Sequence, residues 1–350
     1  MATRKNKRLK IALFFGGRSA EHEVSIISAQ NVFPAINKRK YQILLVGIKK
    51  NGSWVSVTEK DFIKKNFSLT KINEFVSPFF ENKKFFIRGK KIRAQIDLVF
   101  PILHGPFGED GTIQGLLHFF NVPFVGAGVV GSAVGMDKDI MKRLLRDAGL
   151  QVPNFVVFQK SEKNSIRFKN LKKTLGLPFF VKPANLGSSV GISKVENEKE
   201  FMPAIKSAFR YDSKVIIEQG IEGREIECAI LGNDFPQASR LGEIVPKHNF
   251  YSYKAKYLDK SGADLIIPAK IAPAIEKKIQ AIAIKVFQVL CCRGMGRVDF
   301  FLTKNNKILV NEINTIPGFT SISMYPKLWQ ESGISYAQLI DTLIRLAQEK

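Results

Sequence analysis

Long apolar runs are missing from this 350-residue chain. The most apolar stretches, Lys10–Gly17 and Asp97–Leu103, stop far short of the ~20 residues that a membrane helix needs. The apolar stretch after the basic N-terminus ends at Gly16-Gly17 with no small-residue cleavage pattern, so no secretory signal is expected. Cysteine is scarce: three residues, two of them adjacent (Cys291 and Cys292), which excludes a disulfide framework. Together these absences point to a reducing, cytoplasmic compartment and to no membrane partner. Repeats and low-complexity segments are also lacking.

Acidic residues are few, 31 against 54 lysines and arginines, for a net charge of +23. Residues 1–100 hold 21 basic side chains against 7 acidic ones. Such a field suits a nucleic acid, a membrane surface or a small anionic substrate such as a nucleotide. The cations are scattered through apparent secondary structure, which reads as a solvated basic face, and no nucleic-acid partner is expected. With 45% hydrophobic and 24% charged residues, the composition is that of an ordinary globular protein, and the length calls for two or three compact units.

Strand and helix alternate at the start. Lys10 to Phe15 reads as a buried strand, followed by a helix that Ser19 is expected to cap and Pro34 to disturb or end. Strands are expected at Tyr41 to Ile48, Ser53 to Val57 and Ile96 to Pro101, giving an open, mostly parallel sheet. Residues 58–95, rich in Lys and Phe, give no clear pattern. A helix with a Gly stop is expected over Met136 to Gly149, and short strands at Phe155 to Phe158, Phe179 to Lys182, Val215 to Glu218 and Ile226 to Leu231. Pro273 to Leu290 is strongly amphipathic, with Ile275, Ile279, Ile282, Val286 and Leu290 along one stripe. Two strands follow, then a last helix from about Tyr336. The divisions expected are residues 1–130, 131–232 and 233–350.

The most informative spacing lies in residues 296–314. If Asn305-Asn306 is a two-residue hairpin turn, Asp299 faces Glu312 and Arg297 faces Asn314, all four on one side. Val298, Phe300, Leu302, Leu309 and Ile313 then fill the other side, with Asn311 the exception. Facing carboxylates repel. Either the face meets solvent with incidental charges, or a hard divalent cation relieves the repulsion, since Mg²⁺ takes such oxygen ligands. Thr315-Ile316-Pro317-Gly318 ends the strand, and the Gly318 N–H with Arg297 forms a candidate oxyanion site.

Gly126 to Gly131 fits G-x-G-x-x-G, but it lies well after the first βα unit and reads as a tight connection between domains, not a dinucleotide site. No Walker A pattern occurs. Lys182, at a strand end before the Gly187–Gly191 loop, allows two readings: a phosphate cradle or a plain flexible hairpin. Glu218 and Glu225 flank Gln219 to Ile221; alone they read as surface acids, although exposed backbone there can meet an adenine edge.

The order of GGRSAEHEVS (16–25), HGPFGEDGTIQG (104–115), MDK (136–138), VKPANLGSSVG (181–191), FYSYKAKY (250–257), GRVDF (296–300) and NEINTIPGFTSISMYP (311–326) resembles the ATP-grasp fold and, along almost the whole chain, the D-alanine–D-alanine ligase family. The resemblance implies an α/β ATP-grasp fold behind an N-terminal open parallel α/β domain. It implies an ATP- and Mg²⁺-dependent ligase of cytoplasmic peptidoglycan precursor synthesis that joins two D-alanines through an acylphosphate. Homodimerisation, and Mn²⁺ in place of Mg²⁺, are also implied.

Residue by residue, the resemblance assigns two Mg²⁺ ions to Asp299, Glu312 and Asn314, and the oxyanion to Arg297 and Gly318. ATP phosphates fall to Lys138, Lys182 and the loop residues Ser188 and Ser189, and the transferring phosphoryl group to Lys256. The adenosine falls to Glu218, Gln219, Ile221 and Glu225. The first D-alanine's ammonium falls to Glu21, and the second's carboxylate to Ser323 and Met324. Ser188, Tyr257 and Glu21 are implied to form a hydrogen-bonded trio, with 246–262 as a lid and His104 near the substrates. Ser252 and Lys254 depart from the acids often found in that lid. Tyr257 favours an amine nucleophile over the hydroxyl of D-lactate. Related ligases that make D-Ala-D-lactate or D-Ala-D-Ser are the alternative, and a basic nucleic-acid-binding protein is the remote one.

Overall fold

The computed structural model describes residues 8–246 and 263–349, and within them three sheets carry the architecture. The first is built from β1 (Leu9–Gly16), β2 (Tyr41–Ile48), β3 (Trp54–Val57), β4 (Phe75–Glu81), β5 (Lys84–Gly89), β6 (Arg93–Ile96) and β7 (Leu98–Ile102), in the order β6-β5-β4-β3-β2-β1-β7. Only β1 pairs in parallel, with β2 and with β7. The sheet is therefore not mostly parallel. An antiparallel wing, β3 to β6, extends it, and this wing comes largely from the Lys- and Phe-rich segment that gave no pattern. Its β4–β5 turn has Asn82 and Lys83 both at positive φ, the geometry of a two-residue hairpin.

The second sheet holds β8 (Phe155–Gln159), β9 (Phe179–Pro183), β10 (Ser193–Val195) and β11 (Lys214–Gln219), all antiparallel, in the order β10-β9-β11-β8. The third holds β12 (Arg224–Gly232), β13 (Gln237–Pro246), β14 (Ala263–Ile266), β15 (Gly294–Leu302) and β16 (Ile308–Asn314), in the order β14-β13-β12-β15-β16. Helix Pro273–Val289 packs on one face of the third sheet through Ile279, Ala283, Val286 and Phe287, against Val298, Phe300, Val310 and Ile313. Burial of that face leaves the opposite one for chemistry.

Three local features differ from expectation and shape the site. Ser19 does not cap the first helix, His22–Ala35: the cap position is Glu21, and the Ser19 hydroxyl instead donates to the His104 carbonyl at 2.6 Å and accepts the Glu21 N–H at 3.1 Å. Pro34 sits in that helix's last turn, one residue before its end. The expected helix over Met136–Gly149 is present as Lys138–Asp147, and an unanticipated helix, Val129–Met136, precedes it. Asp137 leaves helical geometry and caps helix Lys138–Asp147 through the N–H groups of Asp139 and Ile140, at 3.1 and 3.2 Å. Lys138 thereby becomes a first-turn residue.

The third difference is in the β15–β16 hairpin. The turn runs from Thr303 to Lys307 with Asn306 at positive φ, so Leu302 pairs with Ile308 and Phe300 with Val310. A bulge at Asn311 then restores the anticipated register, and Asp299 pairs with Glu312 and Arg297 with Asn314. The facing pairs are those expected, although the turn is not. Leu309 consequently shares the site side with Phe301, not the core side with Phe300.

Candidate active site

The site side of the third sheet carries a row of charges. Glu227 on β12 pairs in register with Asp299 on β15, and Asp299 with Glu312 on β16. Arg297 lies between the first two: its Nε and Nη2 each donate to Asp299 at 2.7 Å, and its Nε is 2.9 Å from Glu227. The Asn314 amide donates to Asp299 at 3.1 Å. Arg297 therefore supplies the compensation that facing carboxylates demand, with the planar fork that suits a carboxylate. Two carboxylates and a carboxamide also form an all-oxygen donor set that fits a hard divalent cation.

A cleft opens beside this row, between the second and third sheets. Lys138, Lys182, Ser188, Ser189, Glu218, Gln219, Ile221, Glu225 and Glu312 all line it. Thus every expected nucleotide residue among the described ones converges there. Phe180, Ile192 and Phe301 add apolar wall, which had not been anticipated. Lys138 donates to the Leu186 carbonyl and stands 3.7 Å from Glu312. The Gly187–Gly191 loop has Ser188 and Ser189 both at positive φ, a costly conformation for serine that turns the loop over the cleft.

Glu218 lines the cleft but is not the surface acid that its sequence context alone suggested. It is 1% exposed, and its two oxygens take Lys182 and Lys142, each at 2.7 Å. Burial would raise its carboxyl, but attraction to Lys142 and Lys182 prevails and holds it below the ordinary range. Glu218 is the buried counter-ion of two lysines in the wall of the cleft.

Glu21 reaches the cleft from the first sheet. Its carboxylate accepts a hydrogen bond from the Ser188 hydroxyl. Gly105 gives it room: a Cβ there would lie 2.5 Å from Glu21 Oε2. Nearby, Glu109 accepts the N–H groups of Gly105 and Ile316 at 2.7 and 3.2 Å. Burial, reinforced by Glu21, pushes the Glu109 carboxyl well above the ordinary range. Glu109, Lys142 and Glu227 escaped the sequence reading. A signal for Lys142 existed: Lys138, Met141, Lys142 and Leu145 fall at helical spacing, and all are buried.

Other expected residues stand apart from the cleft. Gly318 is half-buried on the segment after β16. Ser323 precedes helix Met324–Glu331; its hydroxyl lies 2.8 Å from that of Thr320 and accepts the Thr320 N–H at 2.9 Å. Met324 is buried against Gly242. His104 is buried beneath the Gly318 segment, its Nδ1 3.0 Å from the Ile316 carbonyl and its Nε2 3.1 Å from Ser28 Oγ. Burial lowers its pKa to about 4, so it is a neutral crosslink rather than a cationic substrate ligand. Tyr257, Lys256, Ser252 and Lys254 lie outside the described residues. The Gly126–Gly131 motif leads into helix Val129–Met136, where Gly131 packs on the Cys291 carbonyl, so it is a structural connection.

Comparison with known proteins agrees with this geometry. The family profile described as "D-ala D-ala ligase N-terminus" matches residues 10–127, and "D-ala D-ala ligase C-terminus" matches 144–345. The D-alanine–D-alanine ligase of Oceanobacillus iheyensis is 52% identical over 97% of this chain and 95% of its own. Among solved structures, the D-alanine–D-alanine ligase of Coxiella burnetii aligns with a TM-score of 0.87 at 40% identity, over 97% of this chain and 94% of its own. The VanG D-Ala:D-Ser ligase of Enterococcus faecalis aligns with a TM-score of 0.87 at 38% identity, over 97% of this chain and 100% of its own. The folds and sequences agree over nearly the full length, and the chain belongs to the D-alanine–D-alanine ligase family.

Proposed function

We propose that the protein joins two D-alanines into D-alanyl-D-alanine, converting ATP to ADP and phosphate, for peptidoglycan precursor synthesis in the cytoplasm. The observation that carries this reading is the convergence of Lys138 and Lys182 with Glu312 in one cleft, beside the Arg297–Asp299 pair and the Glu21–Ser188 bond. A carboxylate is a poor electrophile, and phosphorylation gives it a leaving group. The first D-alanine's carboxylate oxygen attacks the γ-phosphorus and ADP departs. The second D-alanine's free amine then attacks the acyl carbon, and phosphate leaves as the tetrahedral intermediate collapses.

Lys138 and Lys182 hold the phosphates, with Ser188, Ser189 and the loop backbone around them. Lys256 accompanies the transferring phosphoryl group. Gln219, Ile221 and Glu225, with Phe180 and Phe301, form the adenosine pocket. Asp299, Glu312 and Asn314 would hold two Mg²⁺ ions, or Mn²⁺, which supply charge neutralisation at the phosphates. Glu21 binds the first ammonium and keeps Ser188 in place, and Tyr257 completes that trio. Arg297 and the Gly318 N–H face the developing oxyanion. Ser323 and the Met324 N–H receive the second carboxylate. We read residues 1–130, 131–232 and 233–350 as three units of a protomer that works as a homodimer. Among the described residues no helix is long and apolar enough to cross a membrane.

The likeness to a D-Ala:D-Ser ligase keeps a second reading in view, a different second substrate at the same site. Phosphate release with ATP and Mg²⁺ across D-Ala, L-Ala, D-Ser and D-lactate decides. Release requiring only D-Ala, with the dipeptide found by mass, is the expected result. Release only from a D-Ala pair with D-Ser or D-lactate transfers the chain to the second reading. No release from folded protein overturns both.

A further inference from the structure

Lys142 has no part in the scheme above, yet it is among the most enclosed charges in the molecule, 1% exposed on helix Lys138–Asp147. Its ammonium makes two contacts that belong to different sheets. One is Glu218 Oε2 on β11 at 2.7 Å, the carboxylate whose other oxygen holds Lys182 at 2.7 Å. The other is the carbonyl of Asn311 on β16 at 2.8 Å. Asn311 is the bulged residue, without a cross-strand partner in the ladder, and Glu312 follows it directly. A bulge leaves backbone groups to be satisfied from outside the ladder, and an ammonium with three donors is well suited.

Neutralising Glu218 does not require Lys142, since Lys182 already contributes a positive charge to that carboxylate. Burying a second ammonium there is costly, and burial does lower its affinity for the proton. What Lys142 adds is a direct connection between Glu218 and the backbone of β16. We propose that Lys142 is a positioning residue that sets the phosphate-side lysine, Lys182, and the metal-side carboxylate, Glu312, at a fixed separation, by gripping Glu218 and the Asn311 carbonyl at once. The inference rests on the ligase reading, because it assigns those two partners to one nucleotide–metal complex.

The test compares the full-length wild type with Lys142→Met and Lys142→Arg. Affinity for a non-hydrolysable ATP analogue with Mg²⁺ is measured by calorimetry, alongside KM for ATP and for D-alanine, the Mg²⁺ concentration for half-maximal turnover, and thermal unfolding. Lys142→Met is expected to bind the analogue about tenfold more weakly and to need about tenfold more Mg²⁺, with KM for D-alanine within about twofold. Lys142→Arg keeps a charge beside Glu218 but puts a larger planar fork where a compact ammonium sits, and is expected to lose the Asn311 contact. It is expected to recover most of the nucleotide affinity while still needing more Mg²⁺. Should the Met variant fail to fold, the Arg variant carries the test alone. A lower unfolding temperature with unchanged nucleotide affinity and Mg²⁺ requirement would reduce Lys142 to a structural residue and overturn the proposal. A wild type that releases no phosphate overturns the underlying reading instead, so the two failures are distinguishable.

Discussion

The imidazole Nδ1 of His104, at the end of β7, donates to the carbonyl of Ile316, two residues before Gly318. A carbonyl can only accept, so the proton sits on Nδ1 and leaves Nε2 to accept from the Ser28 hydroxyl. The first sheet thus fixes the backbone segment that carries the proposed oxyanion donor. Only a neutral ring makes both bonds, because a proton on Nε2 would remove the acceptor for the Ser28 hydroxyl.

That neutrality gives a pH dependence with a definite sign. The folded-state pKa of His104 is lowered to about 4 from 6.5, by burial and against the pull of the Ile316 bond. Its contribution to stability is therefore complete above pH 6.5 and is lost as pH falls through 4, a total of up to about 3 kcal/mol. Urea unfolding at pH 7, 5.5 and 4 should show the gap between wild type and His104→Gln narrowing by that order. Parallel curves would contradict the assignment.

Asp299→Asn keeps the side-chain shape but removes half of the charge opposite Arg297, which retains Glu227. Phosphate release should fall by about 10²- to 10³-fold. Circular dichroism and the unfolding temperature should change little by comparison. A variant with near-normal turnover would remove Asp299 from the metal set.

Gly105→Ala asks two things of the backbone. The residue is at φ +75°, and the added Cβ would sit 2.5 Å from Glu21 Oε2. The strain costs about 1–3 kcal/mol. Displacing Glu21 should also raise KM for the first D-alanine by about tenfold, with a smaller rise in KM for ATP through the Ser188 loop that Glu21 holds. Equal rises in both constants would mean that Glu21 does not face the amino acid.

Asp137→Ala removes the cap of helix Lys138–Asp147 and the Lys214–Asp137 ion pair at 2.5 Å. A lost cap costs about 0.5–2 kcal/mol. Because Lys138 occupies the first turn, KM for ATP should rise more than KM for D-alanine. Steady-state kinetics with each substrate varied in turn separates the two.

Legibility in the sequence followed periodicity. Tyr41–Ile48 is a near-continuous apolar run and Pro273–Val289 repeats at helical spacing, and both elements were expected nearly as found. The β4–β6 wing was opaque because Phe79, Phe80, Phe85 and Phe86 occupy both faces, so no alternation survives. Charge row and cleft were readable because Asp299, Glu312, Lys182 and the glycine loop follow strand geometry. Lys142 and Glu227 were hidden because a buried ion pair looks like solvent-facing charge until its partner is known. The hairpin shows a third case: the site registered correctly although the turn was misplaced, because turn and bulge each shift the count by one in opposite directions.

That cancellation has a consequence for how this protein can diverge. Which side of β16 faces the cleft is an odd-or-even property, and the bulge at Asn311 resets it next to Glu312. The exposed tip, where Lys304 meets Glu222, is upstream of the reset. Descendants of this gene are free to lengthen or shorten the tip without moving the chemistry. A single codon lost at Asn311 would straighten the ladder, leaving Glu312 opposite Asp299 but removing the carbonyl that Lys142 grips.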